Sequence, residues 1–162
     1  MAVTDAENPT PRLAGWREWV SFPVWGFGPI KAKLDTGART SAIHAVDLES
    51  FDRDGEQWMR FTVHPWQKND GDEMRVEARV IDEREVTSSS GTTSLRPVVE
   101  TTIDLDGRSH VVELTLTRRD DMGFRMLLGR EALRGRYVVD PGRSYLTGRA
   151  DRATRRKNRE RA

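Results

Sequence analysis

The chain has 162 residues, enough for one domain with a hydrophobic core that needs neither staple nor metal. It contains no cysteine, which excludes disulfides, thiol catalysis and cysteine-ligated metals, and no apolar run approaches the roughly 20 residues needed to cross a bilayer. The formal charge of +1 is unevenly spread: from Arg149 onward seven basic residues face two acidic ones, while the chain before it carries 20 basic and 24 acidic residues.

Residues 1–14 mix Asn8, Pro9, Pro11 and charged side chains without apolar period and read as a disordered lead-in. Nothing near Met1 has the basic start and apolar stretch of a secretory signal, so a cytoplasmic location is expected. A domain is expected over 15–147. Its first hairpin joins the aromatic and β-branched stretch Trp16 to Trp25, through the turn Gly26-Phe27-Gly28-Pro29, to Ile30-Lys31-Ala32-Lys33-Leu34, where apolar and basic residues alternate. Further strands are expected at Met59–His64, Met74–Ile81, Val98–Leu105, Val111–Thr117 and Tyr137–Val139, with turns at Asp70-Gly71-Asp72 and Asp106-Gly107. Short strands separated by turns predict an all-β, mainly antiparallel fold. One short helix is expected at Glu131–Arg134, stopped by Gly135. Residues 148–162 hold almost no apolar side chain to fasten them and read as a basic disordered tail, able at most to attract nucleic acid weakly.

The residue with the most chemistry in its surroundings is Asp35, delivered by the alternating strand into Asp35-Thr36-Gly37-Ala38. Hydrolysis by an aspartic enzyme needs two carboxyls sharing a proton, because like charges about 3 Å apart cannot both ionise. Asp supplies the acid, a Thr36 hydroxyl can brace the loop, and Gly37 allows a close approach of its N–H to the carboxylate. Asp-Thr-Gly occurs once, and Asp104 and Asp140 lack a flanking glycine loop. The second carboxyl therefore comes from elsewhere in the chain or from a second copy, and a symmetric homodimer is preferred.

The order of segments carries a resemblance. Asp35-Thr36-Gly37-Ala38 after a strand, a glycine-containing hairpin from Arg84 to Pro97, and Met126-Leu127-Leu128-Gly129-Arg130 before a helix together resemble the retropepsin-like aspartic proteases. The resemblance implies an acid-protease half-barrel, a flap built from the hairpin, and support of the dimer and active loop by Leu128, Gly129 and Arg130. The fuller strings Gly15-Trp-Arg-Glu-Trp-Val20, Lys31 to Ala45 and Arg96-Pro-Val-Val99 look like a bacterial RimB-like group, found with RimK-type ATP-grasp glutamate ligases and labelled ATP-dependent zinc proteases. That likeness spans Gly15 to Thr147. It implies protein or peptide substrates, including polyglutamate tails, and a RimK-like ligase or ribosomal protein as partner. Candidate substrate contacts are then Arg39, His44, Arg84, Ser90, Gly91 and Arg96; His44 reads equally as a hydrogen-bonded strand histidine.

Two features depart from those names. Arg39 stands where the viral pattern has an acid that pairs with the Gly-Arg arginine, so Arg130 needs another acceptor, such as Glu131 or a carboxylate across a dimer interface. No His-Glu-x-x-His and no phosphate-binding glycine loop is present, so neither a metal nor a cofactor is expected from the residues. Two alternatives to a peptidase dimer remain: a non-catalytic binding module partnering a RimK-like ligase, and a metal-dependent peptidase as the group's label suggests.

Overall fold

A computed structural model describes residues 10–87, 90–118 and 123–160. The expected hairpin forms from the second and third strands. β1 is Arg12–Gly15; β2 (Arg17–Phe22) and β3 (Phe27–Leu34) pair antiparallel, with Trp19 opposite Lys31 and Arg17 opposite Lys33. The alternation in β3 is literal: Ile30, Ala32 and Leu34 are buried, and Lys31 and Lys33 point the other way.

After the Asp35 loop the chain runs into β4 (Ser41–Arg53), β5 (Glu56–Val63), β6 (Met74–Thr87), β7 (Thr93–Leu105) and β8 (Arg108–Thr117). Each follows its predecessor as an antiparallel neighbour, and β8 returns to lie parallel to the start of β4, Ser41 opposite Leu114 and His44 opposite Thr117. These strands therefore close on themselves. The Asp54-Gly55 and Asp106-Gly107 turns have positive φ at both residues, the conformation that a two-residue hairpin connection with matching twist requires. β9 (Met126–Leu128) inserts between β3, to which it is parallel, and β4. α1 is Arg130–Leu133, one residue earlier than its expected span, and β10 (Tyr137–Asp140) pairs parallel with β1. The mainly antiparallel β domain with one short helix after Leu127-Leu128-Gly129-Arg130 is thus the observed fold, its core filled by Phe22, Ile30, Ile43, Phe61, Leu114 and Met126 among others.

Three regions differ from expectation. Arg12 to Ala14 of the proposed lead-in belong to β1, and residues 1–9 lie outside the described ones. The stretch from Asp47 toward Gln67, where a strand is expected only at Met59–His64, holds the longer β4–β5 hairpin; only the Ser41–Ala45 end and the Met59–Val63 end are buried. The tail is not featureless: Arg152–Arg159 form α2. Asp151 caps it by accepting from Thr154 N at 2.8 Å. Asn158 is fully buried and accepts from Gln67 N at 3.1 Å, while Asn69 Nδ2 donates to the carbonyls of Lys157 and Glu160 and Lys157 pairs with Asp72 at 2.7 Å. The helix is fastened by polar contacts that a search for apolar anchors does not detect. No helix among the described residues is long and apolar enough to cross a membrane.

One buried titratable pair ties β8 to β10. The Tyr137 hydroxyl donates to Leu105 O at 3.0 Å and so accepts from His110 Nε2 at 2.9 Å, which puts the imidazole proton on Nε2. Burial, followed by the charges of Arg136 and Arg108, pushes His110 down to about 4 from its ordinary 6.5. Between those values the unfolded chain takes a proton that the folded one refuses, so stability is full above about pH 6.5 and falls as pH drops toward 4. The urea midpoint is expected to correspond to about 1–3 kcal/mol less stability near pH 4.5 than near pH 7 on account of this group. His110→Gln, which keeps a donor but does not titrate, is expected to show a smaller drop.

Candidate active site

Asp35 sits where β3 ends, and its position is set by β9. The parallel register places Leu34 opposite Leu128, and Asp35 N donates to Leu128 O at 2.8 Å, so the loop leaves the sheet at a fixed point. Asp35 O accepts from Ala38 N at 3.2 Å, turning the chain, and Gly37 N donates to Asp35 Oδ1 at 2.9 Å. A Cβ on Gly37 would lie 3.1 Å from that same oxygen, which is why the close approach needs glycine.

The segment after β9 clamps the loop from the other side. Arg130 N donates to Ala38 O at 2.7 Å and Glu131 N to Arg39 O at 3.1 Å. Arg130 Nη1 donates to the carbonyls of Thr36 and Gly37, both at 3.1 Å. Gly129 fits beneath with its N–H on Ser41 Oγ at 3.0 Å; a Cβ there would meet Thr40 O at 2.4 Å and Ala38 O at 2.8 Å. The result is a carboxyl with one oxygen fixed by the loop and the other, Oδ2, 3.9 Å from Lys33 Nζ. The Asp35 side chain is 31% exposed, and Thr36 and Gly37 are exposed beside it, so an extended chain has access.

The expected partners of the two arginines are exchanged. Among the described residues Arg130 donates not to Glu131 but to the loop's own carbonyls. Glu131 instead pairs with Arg39, Nε to Oε1 at 3.0 Å, and that hydrogen bond holds the Glu131 carboxyl below its ordinary range. Arg39 is therefore oriented along α1 rather than left free over the loop.

The remaining candidates divide. His44 is 1% exposed on β4, its ring 5.4 Å from that of His64, and so faces the interior rather than a substrate. Arg84 and Arg96 stand directly opposite each other in the β6–β7 hairpin. Arg84 is half-buried, pairs with Glu113 at 2.9 Å, and borders a cleft with Thr40, Ser41 and Glu131 close to α1. Ser90 and Gly91 are exposed at the hairpin's end, next to residues 88–89, which lie outside the description. Sequence reasoning missed Lys33, although the basic–apolar alternation of Ile30–Leu34 puts it on the face of Asp35. It also missed Ser41, which receives the Gly129 N–H and for which the sequence carries no signal. Among the described residues no group of three or more His, Asp or Glu side chains is arranged to hold a metal ion.

Residues 13–150 match the model of the RimB-like family, described as retropepsin-like aspartic endopeptidase RimB. The chain belongs to that family. The match covers the Asp35 loop, the hairpin and α1, and ends just before α2. Proteins described as probable alpha-L-glutamate ligases from Shewanella pealeana and Desulfotalea psychrophila are both 47% identical to it, over 84% and 80% of this chain respectively. The chain spans only 30% and 28% of those longer relatives. Among solved structures, Lpg0085 from Legionella pneumophila, of unknown function, aligns with a TM-score of 0.72 and 26% identity, over 85% of this chain and 99% of that one.

The seat under the RimB-like loop yields a stability prediction. Gly129→Ala is expected to cost about 2–4 kcal/mol, since its new Cβ presses on two backbone carbonyls, of which Ala38 O already accepts from Arg130 N. A urea titration measures it; a change under about 0.5 kcal/mol would mean the loop is not clamped as described.

Proposed function

We propose that this chain is an aspartic endopeptidase that acts as a symmetric homodimer, each copy supplying one Asp35, on protein tails bearing added glutamates. The observation that carries the reading is Asp35 itself: an accessible carboxyl, one oxygen held by Gly37 N, on a loop clamped by Gly129 and Arg130. With one Asp-Thr-Gly per chain, the second carboxyl comes most directly from a second copy related by a two-fold axis.

In such a pair the two carboxyls share one proton, because both cannot ionise at close range. The ionised member takes a proton from water, and the oxygen of that water bonds to the scissile carbonyl carbon. The protonated member gives its proton to the carbonyl oxygen. Collapse of the tetrahedral intermediate breaks the C–N bond: the leaving nitrogen receives the proton that the first carboxyl had taken, and a hydroxyl of the intermediate returns its proton to the second carboxyl as the C=O bond re-forms. The β6–β7 hairpin, with Ser90 and Gly91 near its end, serves as the flap that covers substrate, and Arg84 and Arg96 stand at its root.

Support for an acidic substrate comes from two sides. The longer relatives are described as glutamate ligases, and glutamate tails are the product that name implies. Lys33 lies beside Asp35, and Arg130 borders the same loop. A RimK-like ligase is then the functional partner, adding what this domain trims.

Asp35→Asn is expected to lower hydrolysis of a glutamylated peptide, followed by mass spectrometry, by at least about a thousandfold while leaving the melting curve unchanged. Mixing wild type with excess Asp35→Asn is expected to depress activity per wild-type chain, as mixed dimers form. Full activity in the variant would refute the reading, and activity unaffected by mixing would refute the shared dyad.

A further inference from the structure

We propose that the outward face of the β2–β3 hairpin is a docking tract for an extended acidic polypeptide that leads to Asp35. The inference deepens the function proposed above and rests on it for the identity of the bound polymer.

The tract begins with the strand period. Lys31, Lys33 and Asp35 follow one another at alternate positions, opposite in direction to the buried Ile30, Ala32 and Leu34. The register with β2 adds Arg17 directly across from Lys33, and Trp19 across from Lys31. Two like charges directly opposite on one face destabilise a sheet, so their presence here is a cost in the isolated chain that an anion removes.

No carboxylate of the described residues pairs with Arg17 or Lys31, and the acid that Lys33 meets is Asp35 itself. Aromatic rings hold two of these cations instead. The Arg17 guanidinium lies 4.8 Å from the Trp16 ring centre and 5.2 Å from that of Tyr145, and donates to Ser144 Oγ. Lys31 Nζ lies 5.6 Å from the Trp19 ring centre and 6.0 Å from that of Tyr145. A cation resting on a ring keeps donors to spare for an incoming carboxylate. Burial first, and then the fields of neighbouring cations led by Arg17, lower the Lys31 pKa.

Spacing and direction select a peptide. Alternate residues along an extended chain recur about every 6.6–6.8 Å, and so do Lys31 and Lys33, so glutamates two apart in a substrate meet them in step. The strip runs without a break into the loop that holds Asp35.

The test measures binding apart from turnover. In Asp35→Asn protein, fluorescence anisotropy of a labelled oligoglutamate is expected to report an affinity that falls steeply with salt. It is expected to weaken about tenfold or more in Lys31→Glu/Lys33→Glu at low ionic strength. The milder pair Lys31→Gln/Lys33→Gln keeps the test valid if the reversal perturbs folding. No binding by the parent, affinity indifferent to these charges, or a single-stranded RNA of equal charge held more tightly through the same residues would each overturn the tract. Tract-dependent binding without hydrolysis by wild type would leave it standing and count against the peptidase instead.

Discussion

The parallel contact between β3 and β9 is the constraint on which the site depends. Strands distant in sequence meet so that Leu34 lies opposite Leu128, and both chains then turn out of the sheet together. Everything beyond that point is backbone contact: Asp35 N on Leu128 O, Arg130 N on Ala38 O, Glu131 N on Arg39 O. Such an arrangement tolerates no Cβ at Gly129, whose neighbours are backbone carbonyl groups. Because the loop is held through main-chain atoms, the Asp35 carboxyl, the Lys33 amine and the Arg39 guanidinium are left available for chemistry or pairing rather than spent on structure.

A second anchor works from inside. Glu18, fully buried on β2, would be an expensive charge if unpaired, but it accepts from Gly15 N, Leu146 N, Thr147 N and Thr147 Oγ1 at 2.6 to 3.1 Å. Four donors drawn from both ends of the domain satisfy it and pin the segment after β10 against β2. Tyr145, with a positive φ and its N–H on Arg17 O at 3.0 Å, is thereby laid flat on Trp19 with ring centres 5.6 Å apart. The outer face of the hairpin thus owes its shape to a carboxylate on the opposite face of the same strand.

What the sequence disclosed, and what it withheld, follows from the range of each signal. The Asp35 loop, the short helix and most strands were legible because their determinants are local: a turn tripeptide, alternation, a glycine stop. β4 was not, since a 13-residue strand whose inner end is buried and whose outer end is charged shows no single period along its length. α2 was missed because it is held by Asn69, Asp72 and Asn158, polar residues that look like loop and tail until they are brought together. The exchange of partners between Arg39 and Arg130 was beyond reach for the same reason: an arginine's acceptor can be a backbone carbonyl, which every residue carries. His44 looked available beside the loop because distance along the chain says nothing of which side of a closed barrel a side chain enters.

The charge pattern around Asp35 follows from that exchange. Where a carboxylate at position 39 would have neutralised Arg130, Arg39 adds a cation and hands it to Glu131, and among the described residues Arg130 donates to neutral carbonyls. A carbonyl satisfies a guanidinium's hydrogen bonds without cancelling its charge, so Arg130 still contributes its full field to the mouth of the loop. Lys33 adds to it from the strand, and Arg17 and Lys31 extend it along β2 and β3. A neutral or basic peptide gains nothing from such a field and an acidic one gains at every step toward Asp35. In the proposed peptidase, selectivity for acidic chains would therefore reside in cations that never touch the scissile bond, with Asp35 acting on what those cations deliver.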